Sequence, residues 1–552
     1  MRRPAILTAA FLAAVFLYLL ATLPARPART TGSVTDEVRR RTVAGAFHVH
    51  STRSDGTGDV DEIAAAASRA GLRFVVLTDH GDAAKAPDAP EYRHGVLVID
   101  AVEVSTNQGH LIALGMPPAP YPLGGDARDV VEDVARLGGF SVAAHPDSAK
   151  PELRWSDPRP IVDGLEWLNL DSEWRDESRT RLVRTAIDYV IRPAPALVRL
   201  LDRPKASLDR WDALIARRSV VAVAGHDAHG GLGEGSRRRF SARFGVPSYE
   251  QSFRAFTLQA SLSAEPTGAA ADDARLIVDA IRHGRVFTAI DAIAAPAFVE
   301  LRAEAGGASA TMGQSIAFAA DARIAVHSTM PPGGRIVLVR GGQDVAESTT
   351  GDLQTQANSP GAYRVEVRVD GAGSTSVPWV VTNPIYLREQ GTVGGPAPPV
   401  FSPVATVQVA NGAVEKDPAS ELSLSPVDGG FAAAFRLRPG DRVSQYVAVA
   451  LPMPSNAEAR AIEFTGRGAS PMRVSVQLRF NQLGGARWIR SVYLPTEGRR
   501  VVVPFVEMTS ADRLATSPRF ETASSILFVV DLTNAAPGQS STFEISQVAL
   551  SK

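Results

Sequence analysis

The chain has 552 residues, too many for one ordinary domain, and 45% of them are apolar, too many for wholesale disorder. Its 58 basic and 59 acidic residues leave a net charge of −1, which excludes a protein held to polyanions by a strong positive field. Cysteine is absent, which excludes disulfides, thiolate zinc sites, iron–sulfur clusters and thiol nucleophiles, so any metal must sit on His, Asp and Glu.

At the start, Arg2 and Arg3 precede an uncharged apolar run from Ala5 to Leu23, which Pro24 ends. The run is long for a signal-peptide core and long enough to cross a hydrocarbon layer as a helix. Residues 1–30 are therefore expected to be a membrane anchor, with membrane contact through residues 5–23, or a signal that is cleaved. Either one exports the remainder of the chain to a periplasmic or extracellular location.

From Val43 to residue 294, short apolar runs alternate with helical patterns. The expected strands are 44–49, 73–77, 96–103, 110–114, 140–144, 164–170 and 219–224. Asp59 and Glu62 spell a capping box, Ile63, Ala66, Ala67 and Ala70 form a helical stripe, and Gly71 stops it. The same logic marks helices over Asp126–Leu137 and Asp272–His283. Such alternation predicts a parallel α/β architecture, and about seven strands are consistent with a closed barrel whose site lies at the C-terminal strand ends. Residues 171–218 read as an Arg-rich helical insertion, either a lid or a packing helix pair.

After residue 295 helical periods nearly vanish. Short alternating strands closing at Pro378–Leu387 predict an immunoglobulin-like β-sandwich over 295–390. A Gly/Pro stretch, 391–399, reads as a linker, and 400–552 as a second, larger sandwich of galactose-binding-like or jelly-roll type. As a separate module, its removal is expected to spare the barrel's chemistry.

The histidines concentrate at strand ends. His48 and His50 close the first strand, where residues i and i+2 point the same way, and Asp55 comes next in a turn. Asp79 and His80 come after the second strand, Glu103 ends the third, His145 comes after 140–144, and His226, Asp227 and His229 come after 219–224. His110 is out of pattern, since it precedes its strand. Burying so many ionisable groups together is very costly unless divalent ions supply the opposite charge. His94, His283 and His327 fall outside the pattern and are not expected to bind metal.

These motifs resemble those of the PHP (polymerase and histidinol phosphatase) superfamily of metal-dependent phosphoesterases, over roughly residues 43–290. The resemblance implies a distorted seven-stranded (β/α) barrel holding two or three divalent ions. Carried over by motif, His48, His50, Glu103 and Asp227 hold one metal. Asp55, His80 and His229 hold a second, and His110 and His145, with Glu103 bridging, a third. Imidazole and carboxylate without sulfur suit Mn, Fe or Zn. The barrel behind an export segment, followed by a β domain ending in PWVVTNPIYL, is similar to the CehA/McbA (carbaryl hydrolase-like) branch.

The function implied is hydrolysis of phosphomonoesters or phosphodiesters by a metal-bridged hydroxide. The substrate is then a small phosphoester or ester, with nucleic acid entering only as short ends for exonuclease-like cleavage. Asp79 or His226 is the expected source of the leaving-group proton, and Arg53, Lys150 and Arg175 are candidate phosphate contacts. Two alternatives share the sequence: a carboxylester or carbamate hydrolase using the same ligands, and a non-catalytic surface protein whose sandwiches contact carbohydrate.

Overall fold

The computed structural model describes the chain apart from residues 1, 33, 158–160, 232–246, 370–375, 390–398, 455–457 and 512–517, and apart from the side chains of residues 2–11. Nearly all of the expected linker 391–399 thus lies outside the described residues. The backbone is helical over Arg2–Ala21. Among the described residues no helix is long and apolar enough to cross a membrane, and the first half of the run 5–23 lies outside the described side chains.

The chain forms two compact units, one of residues 1–81, 87–117 and 134–392, the other of 82–86, 118–133 and 393–552. In the first unit, β1 (Thr42–Val49), β2 (Phe74–Leu77) and β3 (Val96–Asp100) pair in parallel. The chain breaks at Ala101 and resumes as β4 (Val102–Thr106), which turns back into the antiparallel β5 (Gly109–Leu114). β5 runs antiparallel to β6 (Phe140–Ala143) as well, while β6, β7 (Gly164–Asn169) and β8 (Val221–Gly225) are parallel. The ring closes where the chain beyond β8 bonds the end of β1: the His226 N–H donates to the Phe47 carbonyl at 2.9 Å and the His50 N–H to the Ala228 carbonyl at 3.0 Å. With β3 and β4 counted as one bent strand, seven positions surround a core that includes Phe47, Phe74, Val76, Ile112, Val142 and Val223.

Two expectations need correction. The sheet is not parallel throughout, and 96–103 is not one strand. Asp100 is turned outward, where its carboxylate accepts from Arg53 at 3.0 Å and from the Asp88 N–H at 2.8 Å, and the ladder ends there. Moreover, the first half of β1 pairs antiparallel with an unforeseen strand, Thr257–Ser261, which pairs with Val286–Ala289. That strand pairs in turn with Val380–Thr382, so the barrel sheet runs on into the sandwich region 295–390. The local helix signals are realised closely. In helix Val60–Ala70 the Glu62 N–H donates to Asp59 at 2.8 Å, Glu62 accepts from the Asp59 N–H at 3.0 Å, and Gly71 closes it at φ 84°.

The insertion 171–218 folds into four short helices. The last, Lys205–Ile215, buries Trp211, whose Nε1–H donates to the Val220 carbonyl at 2.9 Å. Its Asp212 pairs at 3.0 Å with Arg364, a buried arginine of the sandwich. This helix packs against the strand that begins at Val221 and against the sandwich region.

Among the described residues the second unit stacks two six-stranded sheets. Their inner faces meet in a core that includes Phe431, Phe464, Phe480, Trp488 and Phe528. The unit is not built from 393–552 alone, because 82–86 and 118–133 belong to it. The buried Arg473 holds Asp133 through Nε at 2.7 Å and Nη2 at 2.9 Å, and donates to the Asp129 carbonyl at 2.9 Å. The second unit thus takes in more of the chain than the expected 400–552.

Candidate metal centre

Because alternate residues of a strand share a face, His48 and His50 send both rings to one side of the end of β1. Their Nε2 atoms lie 3.1 Å apart. Glu103 Oε2 is 3.3 Å from each, and Asp227 Oδ1 is 3.5 Å from His48 and 3.3 Å from His50. The same Glu103 oxygen is 3.2 Å from His80 Nδ1, while Oε1 is 2.9 Å from both His110 Nδ1 and His145 Nε2. One buried carboxylate therefore meets five imidazoles. Asp55 Oδ1 lies 3.6 Å from His50, 3.7 Å from His80 and 3.2 Å from His229. All nine expected ligands gather at one rim, with Asp55 and His80 on its exposed side.

His110 is no exception in space. β5 runs antiparallel to both its neighbours, so its start lies at the rim where the parallel strands end. His94, His283 and His327 stand apart, each against an aspartate: Asp61, Asp279 and Asp352.

The side chains fit a set of cations. Four overlapping groups have ligand atoms within 4.8 Å of one another: His50/Asp55/His80/His229, His48/Glu103/His145, His48/His50/Asp227 and His80/Glu103/His110. Two imidazole nitrogens facing each other at 3.1 Å leave room for one proton at most. A cation answers both lone pairs and the two buried carboxylates together. Three of the residues, His48, His145 and Asp227, have φ of 66°, 30° and 48°, a region that non-glycine residues seldom occupy. Backbone strain of this kind clusters at functional sites, where the surroundings hold it in place.

The outer ring atoms are fixed as well. His145 Nδ1 donates to the Leu153 carbonyl at 3.1 Å and His229 Nδ1 to the Asp227 carbonyl at 2.8 Å, which turns each Nε2 lone pair inward. His48 Nδ1 donates to Glu166 Oε1 at 2.6 Å. Glu166 is fully buried, and its other oxygen accepts from the His145 N–H at 2.7 Å and from Asn169 Nδ2 at 2.8 Å. In the sequence the signal for Glu166 is an acid in the middle of an otherwise apolar strand, Gly164–Asn169. Changing Glu166 to Gln removes the acceptor charge behind His48. Partners of this kind are worth about 10- to 100-fold in metal affinity. We expect a loss of that size by competition with a chelating dye, and unchanged affinity would show that Glu166 does not orient His48.

The turn carrying Asp55 is held from two sides. Asp79 accepts from the Ser51 N–H at 2.7 Å and from the Ser51 and Ser54 hydroxyls at 2.7 and 2.6 Å. The buried Tyr249 hydroxyl donates to the His50 carbonyl at 2.8 Å and accepts from the Thr57 and Gly58 N–H groups at 3.1 and 3.2 Å.

These contacts correct several expected roles. Asp79 spends its oxygens on the turn, so it shapes the site and is not poised over it as an acid. His226 is buried, stacked on Phe256 at 4.2 Å, and its nitrogens meet the Phe47 and Phe256 carbonyls at 3.3 and 2.9 Å. Burial pushes it down to about 4, so it is uncharged at neutral pH and its ring nitrogens face backbone carbonyls. Arg53 is bound by Asp88 and Asp100. Arg175 is bound by Asp171 at 2.6 Å and stacks on Trp174. Carboxylates close by in the fold have claimed both guanidiniums. Lys150 stands in the turn whose Leu153 carbonyl anchors His145.

Charge is balanced by coupling. Burial pulls His48 down, but Glu166, Asp227 and Glu103 outweigh it and hold the imidazole well above its ordinary value. Burial likewise lowers His50, while hydrogen bonds to Asp227 and Glu103 raise it to about 9. Glu103 and Asp227 are held well below the carboxylate range, since His48 and the neighbouring imidazoles overcome their burial. These protons compete with metal ions for the same lone pairs. Metal uptake should therefore release protons at neutral pH, and affinity should rise with pH toward about 9. A raised folded-state pKa stabilises below the unfolded value of about 6.5 and ceases to as pH passes the folded value. Chelator-stripped protein should thus lose thermal stability between about pH 6.5 and 9, and loaded protein should not. Parallel melting curves for the two forms would contradict this coupling.

Fold and side chains together define a class: a seven-position barrel that brings nine His, Asp and Glu side chains to one rim as a candidate polynuclear metal centre. No protein-family model matches the chain, and no curated protein matches it. Among solved structures, a two-domain protein from Bacteroides vulgatus, described as containing a predicted PHP-like metal-dependent phosphoesterase, is 14% identical. The match covers 65% of this chain and 99% of that one at a TM-score of 0.30. A family 11 carbohydrate-binding module from Clostridium thermocellum, in complex with a mixed-linked tetrasaccharide, is 16% identical over 27% of this chain and 96% of that one, at a TM-score of 0.21. Scores this low establish neither fold nor function.

Proposed function

We propose that the chain is an exported metal-dependent phosphoesterase of the PHP type that hydrolyses phosphomonoester or phosphodiester bonds. The observation that carries this reading is ligand sharing: His48, His50, His80 and Glu103 each belong to two of the four ligand groups. Adjacent sites with common ligands suit in-line displacement at phosphorus, which needs charge stabilised on both the attacking and the leaving oxygen. When bound, divalent ions such as Mn, Fe or Zn there lower the pKa of water and polarise the phosphoryl group. The chain's own part is positional. Glu103 bridges the groups, Glu166 and the Leu153 and Asp227 carbonyls aim three imidazoles inward, and Asp79 with Tyr249 fixes the turn that presents Asp55. Lys150, beside the His145 anchor, is a candidate to grip a phosphate oxygen. The motif set, with the strand-rich segment ending at Leu387, supports assignment to the CehA/McbA branch. The helical backbone of Arg2–Ala21 supports export, with retention through residues 5–23 or release by cleavage.

The test reconstitutes stripped protein with Mn, Fe or Zn and assays bis-p-nitrophenyl phosphate, p-nitrophenyl phosphate, a short oligonucleotide, p-nitrophenyl acetate and a naphthyl carbamate. Metal-dependent turnover of a phosphoester is expected. Turnover confined to the acetate or carbamate, or full activity without metal, would overturn the proposal.

A further inference from the structure

The outward face of one sheet of the second unit carries a cleft of about 720 Å³, inside the size range of small-ligand sites. The sheet's strands run in the order 413–416, 446–452, 525–531, 472–480, 486–494 and 509–510. The floor is apolar: Ala448, Leu527 and Val529 line it, and with Ala450 they pack together as a patch separate from the core. The walls are polar and charged. Arg479 reaches across the strands to Glu415, with bonds of 2.9 and 2.7 Å. Tyr446 and Asp531 are register partners at one end, and Arg487 stands opposite Arg479 in its strand pair.

We infer that this cleft binds a neutral carbohydrate. The two guanidiniums and two carboxylates that line it sum to zero charge, so a cation meets the arginines and an anion meets the acids. A sugar hydroxyl both donates and accepts, which matches a wall offering planar donors and planar acceptors side by side. The C–H face of a pyranose ring matches the apolar floor and the Tyr446 ring. This gives the carbohydrate contact expected of 400–552 a definite place, and it is independent of the hydrolysis proposed above.

The experiment is affinity electrophoresis of the full, metal-loaded chain in gels containing mixed-linked β-glucan, galactomannan, xylan, dextran or polygalacturonate, and then calorimetry with an oligosaccharide of the retarding polymer. Retardation by at least one neutral polymer is expected, little changed by 0.5 M salt because no net charge is neutralised, ~10 Å being the screening length already at 0.1 M. Tyr446→Ala and Arg487→Met should each weaken binding about tenfold or more, with melting temperature, metal content and phosphoester turnover unchanged. Absence of retardation by every neutral polymer, retardation by polygalacturonate alone, or unweakened binding in both variants would overturn the inference.

Discussion

Glu103→Ala should empty most of the metal centre and cut turnover of bis-p-nitrophenyl phosphate about a thousandfold, the equivalent of roughly 4 kcal/mol of transition-state stabilisation. The two oxygens of its carboxylate contact His48, His50, His80, His110 and His145 within 3.3 Å. Two of the four ligand groups contain it. Its removal takes away the carboxylate shared by those imidazoles and leaves Glu166, Asp227 and Asp55 to oppose their charge. Elemental analysis should show a clear fall in bound metal, while circular dichroism stays native-like because the carboxylate lies at the rim and not among the barrel's apolar core. Wild-type metal content with wild-type turnover would remove Glu103 from the centre.

Arg473→Ala should destabilise the fold by about 3–5 kcal/mol, the range for removing one partner of a buried ion pair. The Arg473 side chain is 1% exposed, and it satisfies Asp133, the Asp129 carbonyl and, at 3.1 Å, the Ser491 carbonyl. Alanine leaves Asp133 buried with its charge unanswered by that guanidinium. Equilibrium denaturation reads the loss directly. The double change Arg473→Met/Asp133→Leu should cost markedly less, since it removes both charges together. Equal losses in the two variants would show that packing, not charge, sets the effect. Deletion of 393–552 should be worse than either, because segments 82–86 and 118–133 would lose the rest of their unit. Insoluble expression is the expected result, and a soluble, active barrel would contradict it.

The sequence alone marked the nine His, Asp and Glu side chains that gather at the rim and the capped helix Val60–Ala70. His48 and His50 share a face through the two-residue strand period, and the Asp59 and Glu62 cap acts across three residues. Both are decided by contacts a few positions apart, and local pattern carries such contacts. The tertiary structure decided what depends on strand direction and on partners far along the chain. His110 reaches the rim only because β5 runs against its neighbours. Glu166 matters only because β7 sets it behind His48, 118 positions away. Arg53, Arg175 and His226 stand at the right strand ends but are turned from the site by Asp88 and Asp100, by Asp171, and by two backbone carbonyls. Which carboxylate claims a guanidinium, and which way a buried ring faces, is set by competition among all groups that folding brings within a few ångströms. That competition leaves no periodic trace in the order of residues.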